Sequence, residues 1–102
     1  MLTGLLYAMR GEIKSLLTPE AQPERVAAGV AFYRIRENVV ACCGGVGKVN
    51  AALCVQILCD CFGVTHLVNT GIAGSLCAQL DIGDLVVSRD AMYHDFDCVH
   101  FG

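Results

Sequence analysis

Apolar positions come in blocks whose spacing changes along the chain, and each spacing predicts an element. Residues 2–8, LTGLLYA, form a continuous apolar run, as expected for a strand buried on both faces. In RGEIKSLL, residues 10–17, Ile13, Leu16 and Leu17 stand at i, i+3 and i+4. That spacing predicts a short amphipathic helix, stopped by Thr18-Pro19. TPEAQPER (18–25) is polar and holds both prolines, so a surface loop is expected. VAFYRIR (30–36) is rich in aromatic and branched residues, with Arg34 and Arg36 on one face. NVVACC (38–43) follows almost at once, and Glu37-Asn38 fits a tight turn, so the two runs predict an antiparallel hairpin.

GGVGKVN (44–50) is a glycine-rich corner. KVNAALCVQILCDCF (48–62) places Val49, Leu53 and Ile57 on one face and Gln56 with Asp60 on another, so it predicts a helix packed on a sheet and ended by Gly63. VTHLVNT (64–70) predicts a second buried strand, GIAGSL (71–76) a second glycine-rich loop, and DIGDLVVS (81–88) a further strand. The final AMYHDFDCVHFG has no clear period, and the chain shows no internal repeat and no linker. The order β-α-ββ-α-β-β predicts an α/β fold. The short glycine loops fall at strand ends, where open α/β sheets bind ligands.

Composition narrows the functional classes. Hydrophobic residues make up 55% and charged residues 17% of the 102, which excludes disorder. The mean hydropathy of +0.55 is high for a small domain and implies apolar surface meant to be covered. Net charge is −3 and the seven Lys and Arg residues are scattered, so no nucleic-acid partner is expected. No apolar run approaches the roughly 20 residues of a membrane span, so no membrane partner is expected either. Residues 1–9 lack a basic leader and a small-residue cleavage site, and so do not read as a signal peptide. Seven cysteines without a C-x-x-C pair, mostly inside apolar segments, predict reduced thiols in a cytoplasmic protein.

The glycine corner at 44–50 invites comparison with two nucleotide motifs and fits neither. A P-loop needs a hydroxyl after Gly-Lys, but Val49 follows Gly47-Lys48, and Cys42 stands where the first glycine belongs. A dinucleotide fingerprint on Gly45 and Gly47 fails at Asn50. What remains is general: glycines let backbone N–H groups approach an anion or sugar closely. One such loop is an ordinary tight turn. Three at strand ends, around Ala8-Met9, 44–47 and 70–74, predict a pocket. His94, Asp95, Asp97 and His100 have the residue types of a metal site but no recognised ligand spacing, so capping or interface hydrogen bonds are expected, and no metal.

Together the segments resemble one family. G-x-x-x-A-M-x-x-E at Gly4–Glu12, G-V-G-K-V-N-A-A at 45–52, N-T-G-I-A-G at 69–74, and I-G-D-L-V-V-S with M-Y-H-D-F-D across 82–97 are similar to the 5′-methylthioadenosine/S-adenosylhomocysteine nucleosidases of the nucleoside phosphorylase/hydrolase superfamily. The resemblance covers the N-terminal half of such an enzyme. It implies part of a three-layer αβα fold with a central mixed sheet, as the N-terminal portion of a single truncated domain. It also implies hydrolysis of a purine nucleoside N-glycosidic bond without a cofactor, and a homodimeric full-length form. Glu12 would activate the attacking water. Ala8 and Met9 would line the water and ribose side, Val46 would touch the nucleoside, and Ile72, Ala73 and Gly74 would run beside ribose and base. Phe101 and Cys98 would reach into the neighbouring subunit's pocket. Ile72 stands where many members have a small hydroxyl residue, and Ser75 where glycine is usual. The ribose-binding glutamate and the purine-protonating aspartate of the family have no counterpart here.

The chemistry fits Glu12 on separate grounds. N-glycoside hydrolysis passes through an oxocarbenium-like ribosyl cation and needs a carboxylate to orient water. A helix start favours the ionised form of Glu12 and burial opposes it, which predicts a base poised near neutral pH. Two rivals stand beside this reading. One is a nucleoside phosphorylase with Arg10 as a phosphate ligand. The other is a non-catalytic fragment that only associates.

Overall fold

The computed structural model describes residues 1–97 and 99–101, Phe101 by its backbone alone. The first apolar run forms β1 (Thr3–Tyr7), buried from Gly4 onward. β1 pairs in parallel with β4 (Val39–Cys43) on one side and with β5 (His66–Asn69) on the other. The expected hairpin joins β3 (Val30–Arg36) antiparallel to β4, and β2 (Arg25–Ala27) adds antiparallel to β3. The result is a mixed five-stranded sheet of order β2-β3-β4-β1-β5.

Period-two alternation sorts the side chains into layers. Leu6, Phe32, Val40 and Cys42 face α1 (Lys48–Phe62) and pack on Cys54 and Leu58. Leu5, Tyr7 and Ala41 point the other way and pack on Ile13 of the short 3-10 turn Arg10–Ile13. The register Leu5↔Ala41, Leu6↔Cys42 keeps both sets aligned. A slip of one residue would exchange the faces. α1 approaches β1 closely because Gly4 has no side chain: a Cβ there would lie 2.9 Å from Leu58 Cδ1. Phe62, at the far end of α1, stacks on Phe32 with ring centroids 5.2 Å apart. Gly63 then closes the helix in the left-handed region, φ 66°, its N–H bonded back to Cys59. Arg34 grips Glu24 through two hydrogen bonds of 3.0 and 3.1 Å, which holds the start of β2 against β3.

Several expectations need correction. Residues 10–17 form a 3-10 turn over 10–13 and then irregular turns rather than one α-helix. Ile13 alone of the helical stripe is buried, and one anchor in so short a segment does not hold a regular helix. The predicted face of α1 is met only in part: Val49 and Leu53 are exposed, Ile57 packs at the margin of the core, and the buried residues are Cys54 and Leu58. The helix is apolar on most sides, so two stripes compete and the contact at Gly4 decides between them. β5 is exposed along its length rather than buried, because it is the edge of the sheet. Residues 81–88 hold a turn at 82–83, with Asp81 N–H on Asp84 Oδ2 at 2.9 Å, and are otherwise irregular rather than a strand. They have no ladder partner among the described residues, and an isolated strand leaves its backbone groups unpaired. β2 was not expected at all.

The cysteines among the described residues are free thiols. Burial, then the neighbouring Cys54, pushes the Cys42 thiol up to about 12, which keeps it protonated and unreactive. No helix among the described residues is long and apolar enough to cross a membrane.

Candidate active site at the strand ends

Because β4, β1 and β5 run in parallel, their C-terminal ends share one edge of the sheet. The pairing continues one step beyond the strands: Gly44 N–H donates to Tyr7 O at 2.9 Å, and Thr70 N–H donates to Leu6 O at 3.0 Å. Three loops leave this edge side by side.

The first is the strap 8–12. Met9 is extended (φ −127°, ψ 141°) and the chain then tightens into the 3-10 turn, closed by Glu12 N–H on Met9 O at 3.0 Å. This bend turns the Glu12 side chain back on its own loop. Glu12 Oε2 accepts from Ala8 N–H at 3.0 Å and from Met9 N–H at 2.9 Å. The other oxygen, Oε1, accepts a longer bond of 3.4 Å from Ile72 N–H, across the edge in the loop after β5. Gly71 makes that approach possible: a Cβ there would lie 3.0 Å from Oε1.

These amides set the charge of Glu12. The Met9 N–H pulls its pKa below the ordinary value of 4.5, burial works against it, and the Ala8 and Ile72 amides add to the lowering. The expectation of a base poised near neutrality is therefore corrected: Glu12 is a firmly ionised carboxylate. It is half-buried, so the pocket desolvates it less than the apolar surroundings in sequence suggested. Two oxygens offer about four lone-pair directions and three N–H donors use them only in part, so a water can still be held.

The second loop is the glycine corner after β4. Gly45 and Gly47 occupy the left-handed region, with φ 83° and 109°. Val46 between them is 72% exposed, its carbonyl bound by Asn50 Nδ2 at 2.8 Å. Cys43 Sγ donates to Ala8 O at 3.3 Å and so ties this corner to the Glu12 strap. The third loop carries Ile72, Ala73 and Gly74, which line an open concavity of about 640 Å³ together with Gly71, Ser75, Cys77 and residues 80–86. Glu12, Ala8, Met9 and Ile72 are thus joined by hydrogen bonds. Val46, Ala73 and Gly74 lie on the same edge without contact to Glu12 through hydrogen bonds. Cys98 and the Phe101 side chain lie outside the described residues.

A pattern of this extent is shared with known proteins. The sequence profile of the phosphorylase superfamily matches residues 3–102. The chain belongs to the phosphorylase superfamily. Within the superfamily it is 53% identical over 78 residues to a 5′-methylthioadenosine/S-adenosylhomocysteine nucleosidase of Treponema pallidum, covering 74% of this chain and 29% of that protein. The crystal structure of the Colwellia psychrerythraea enzyme of the same name, in complex with adenine, superposes with a TM-score of 0.85 at 42% identity, over all of this chain and 44% of that one. Futalosine hydrolase of Helicobacter pylori is similar too, with a TM-score of 0.84 at 31% identity, over 99% of this chain and 46% of that one. The chain therefore spans less than half the length of the superfamily members it matches.

Sequence reasoning missed three participants. Gly71 was read only as part of a glycine-rich loop, yet its missing Cβ is what admits the carboxylate. Cys43 was read as a small hydrophobe; its place as the last residue of β4, level with Tyr7, was the available signal. In sequence Lys48 shows only as one of the scattered cations, at the start of the predicted helix and after a glycine corner that fails as a P-loop. It pairs with Asp95 at 3.2 Å and lies 4.6 Å from the Tyr93 ring centroid, which fastens the 93–96 segment to the start of α1. Asp97 caps the following turn through Val99 N–H at 2.9 Å, in keeping with the capping role expected for this cluster.

Proposed function

We propose that this chain carries the water-activating half of a nucleosidase that hydrolyses the N-glycosidic bond of 5′-methylthioadenosine and S-adenosylhomocysteine and releases adenine. One observation carries the reading: an ionised carboxylate, Glu12, is fixed by three backbone amides from two loops at the ligand-binding edge of the sheet. A water hydrogen-bonded to Glu12 loses its proton to the carboxylate as its oxygen attacks the anomeric carbon. The C–N bond to the purine breaks, and the purine leaves protonated by an acid that this chain does not supply. A positioned base of this kind contributes about 10²–10⁴-fold. Ala8 and Met9 line the water and ribose side, Val46 touches the nucleoside, Ile72, Ala73 and Gly74 run beside ribose and base, and Phe101 with Cys98 cover the 5′-thioalkyl group of the neighbouring subunit's substrate. The full-length protein is then a cytoplasmic homodimer in methionine salvage, needs no cofactor, and binds a purine nucleoside rather than nucleic acid or membrane.

The similarity to futalosine hydrolase, together with Ile72 in place of a small hydroxyl residue, favours futalosine as the second substrate to assay. In the full-length protein, Glu12→Gln is expected to cut adenine release by at least about 10²-fold while substrate still binds. Turnover near that of the parent protein would remove Glu12 from the mechanism. Activity that vanishes without phosphate would replace hydrolysis by phosphorolysis. The 102-residue chain alone is expected to release no adenine.

A further inference from the structure

The chain has a second cavity that the proposed reaction does not use. It measures about 340 Å³ and lies between the 10–21 segment and the sheet face formed by β1, β3 and β4. Glu12 and the glycine loops are not part of its wall. Ile13 and Leu17 give it an apolar side, and Tyr7 and Tyr33 contribute their rings from the strands. Arg10 and Lys14, both exposed, stand four residues apart at its mouth. No carboxylate lines it, although the chain as a whole carries a net charge of −3. Neither Arg10 nor Lys14 forms an ion pair among the described residues.

The polar groups converge. Tyr7 is 1% exposed and lines the cavity, and its hydroxyl has no hydrogen-bond partner among the described residues. Burial, then the nearby Cys43 and Tyr33, pushes the Tyr7 phenol up to about 12, while the Arg10 charge acts in the opposite sense. The phenol is therefore a lasting hydrogen-bond donor, close enough to Arg10 to feel its charge. Two cations and no acid, beside hydroxyls that can donate, select an anion. Apolar walls select an apolar body, and the volume suits a small molecule.

We propose that this cavity binds a small organic carboxylate with a flat apolar body, its charged end held by Arg10 and Lys14 and its body against Ile13, Leu17 and the two tyrosine rings. Benzoate is a suitable probe, with benzamide as its neutral isostere and inorganic phosphate as an anion lacking the apolar body. In heteronuclear NMR titrations of the chain, benzoate is expected to shift amides of residues 7, 10–21 and 31–33 saturably. Benzamide and phosphate should each bind at least about tenfold more weakly. Arg10→Gln combined with Lys14→Gln alters only exposed side chains and should weaken benzoate at least about tenfold, with the remaining spectrum preserved. Ala21→Trp, which fills the cavity from its loop side, should abolish the shifts. The proposal is overturned by any of four results: no saturable benzoate shifts, equal binding of benzamide or phosphate, benzoate binding undiminished in both variants, or shifts centred on 44–50 and 70–74.

Discussion

Glu12 shows how one residue can be legible in sequence while its state is not. Its place in G-x-x-x-A-M-x-x-E marked it, but the groups that set its charge are backbone amides, which no side-chain pattern reveals. They also tie it to stability. A carboxylate whose folded pKa is depressed stabilises the fold above its unfolded pKa and ceases to do so as pH falls through the folded value. The stability of the parent chain relative to Glu12→Gln should therefore be constant near neutrality and shrink as pH drops below the ordinary value of 4.5. Urea unfolding of both across that range checks the sign, and a difference that grows on acidification would contradict it. Gly71→Ala tests the same contact from the other side. A methyl group 3.0 Å from Oε1 must displace the carboxylate by tenths of an ångström. If the full-length protein has the proposed activity, its kcat is expected to fall on the order of ten- to a hundredfold. The Glu12 carboxyl titration, followed by carbon NMR, should move back toward its ordinary value, a change that simple destabilisation would not produce.

At the scale of elements, the hairpin and the two glycine corners were readable because each depends on residues close in sequence. Turn chemistry and alternation settle β3 and β4 without help from the rest of the chain. The face of α1 was not readable, because Val49, Leu53 and Ile57 form as good a stripe as Cys54, Leu58 and Phe62. The choice rests on a glycine in a different element. Gly4→Val should accordingly cost about 1–3 kcal/mol in urea unfolding, since its Cβ would meet Leu58 at 2.9 Å and Leu67 at 3.1 Å. A neutral result would mean that α1 is not seated on β1 as described. DIGDLVVS failed as a strand for a related reason. Its β-propensity is real, but a strand exists only with a neighbour to pair with.

At the scale of the whole molecule, the high mean hydropathy has a visible outlet. β5 ends the sheet with Leu67 and Val68 each nearly half exposed, beside an edge that pairs with no further strand among the described residues. Exposed apolar edges promote association. Sedimentation velocity of the chain should therefore show concentration-dependent self-association, and Val68→Lys, which puts a charge on that edge, should suppress it. Association unchanged by the substitution would place the contact elsewhere.

The bond between Glu12 and Ile72 also has a consequence for the order of folding. It spans sixty residues of sequence, whereas the bonds to Ala8 and Met9 span four and three. The short pair can form while the rest of the chain is still searching. The long one waits until β5 has docked beside β1, with the loop-closure entropy that implies. The carboxylate is thus first held by its own strap and gains its final donor only when the sheet is complete, so its full environment is among the last features of the fold to appear.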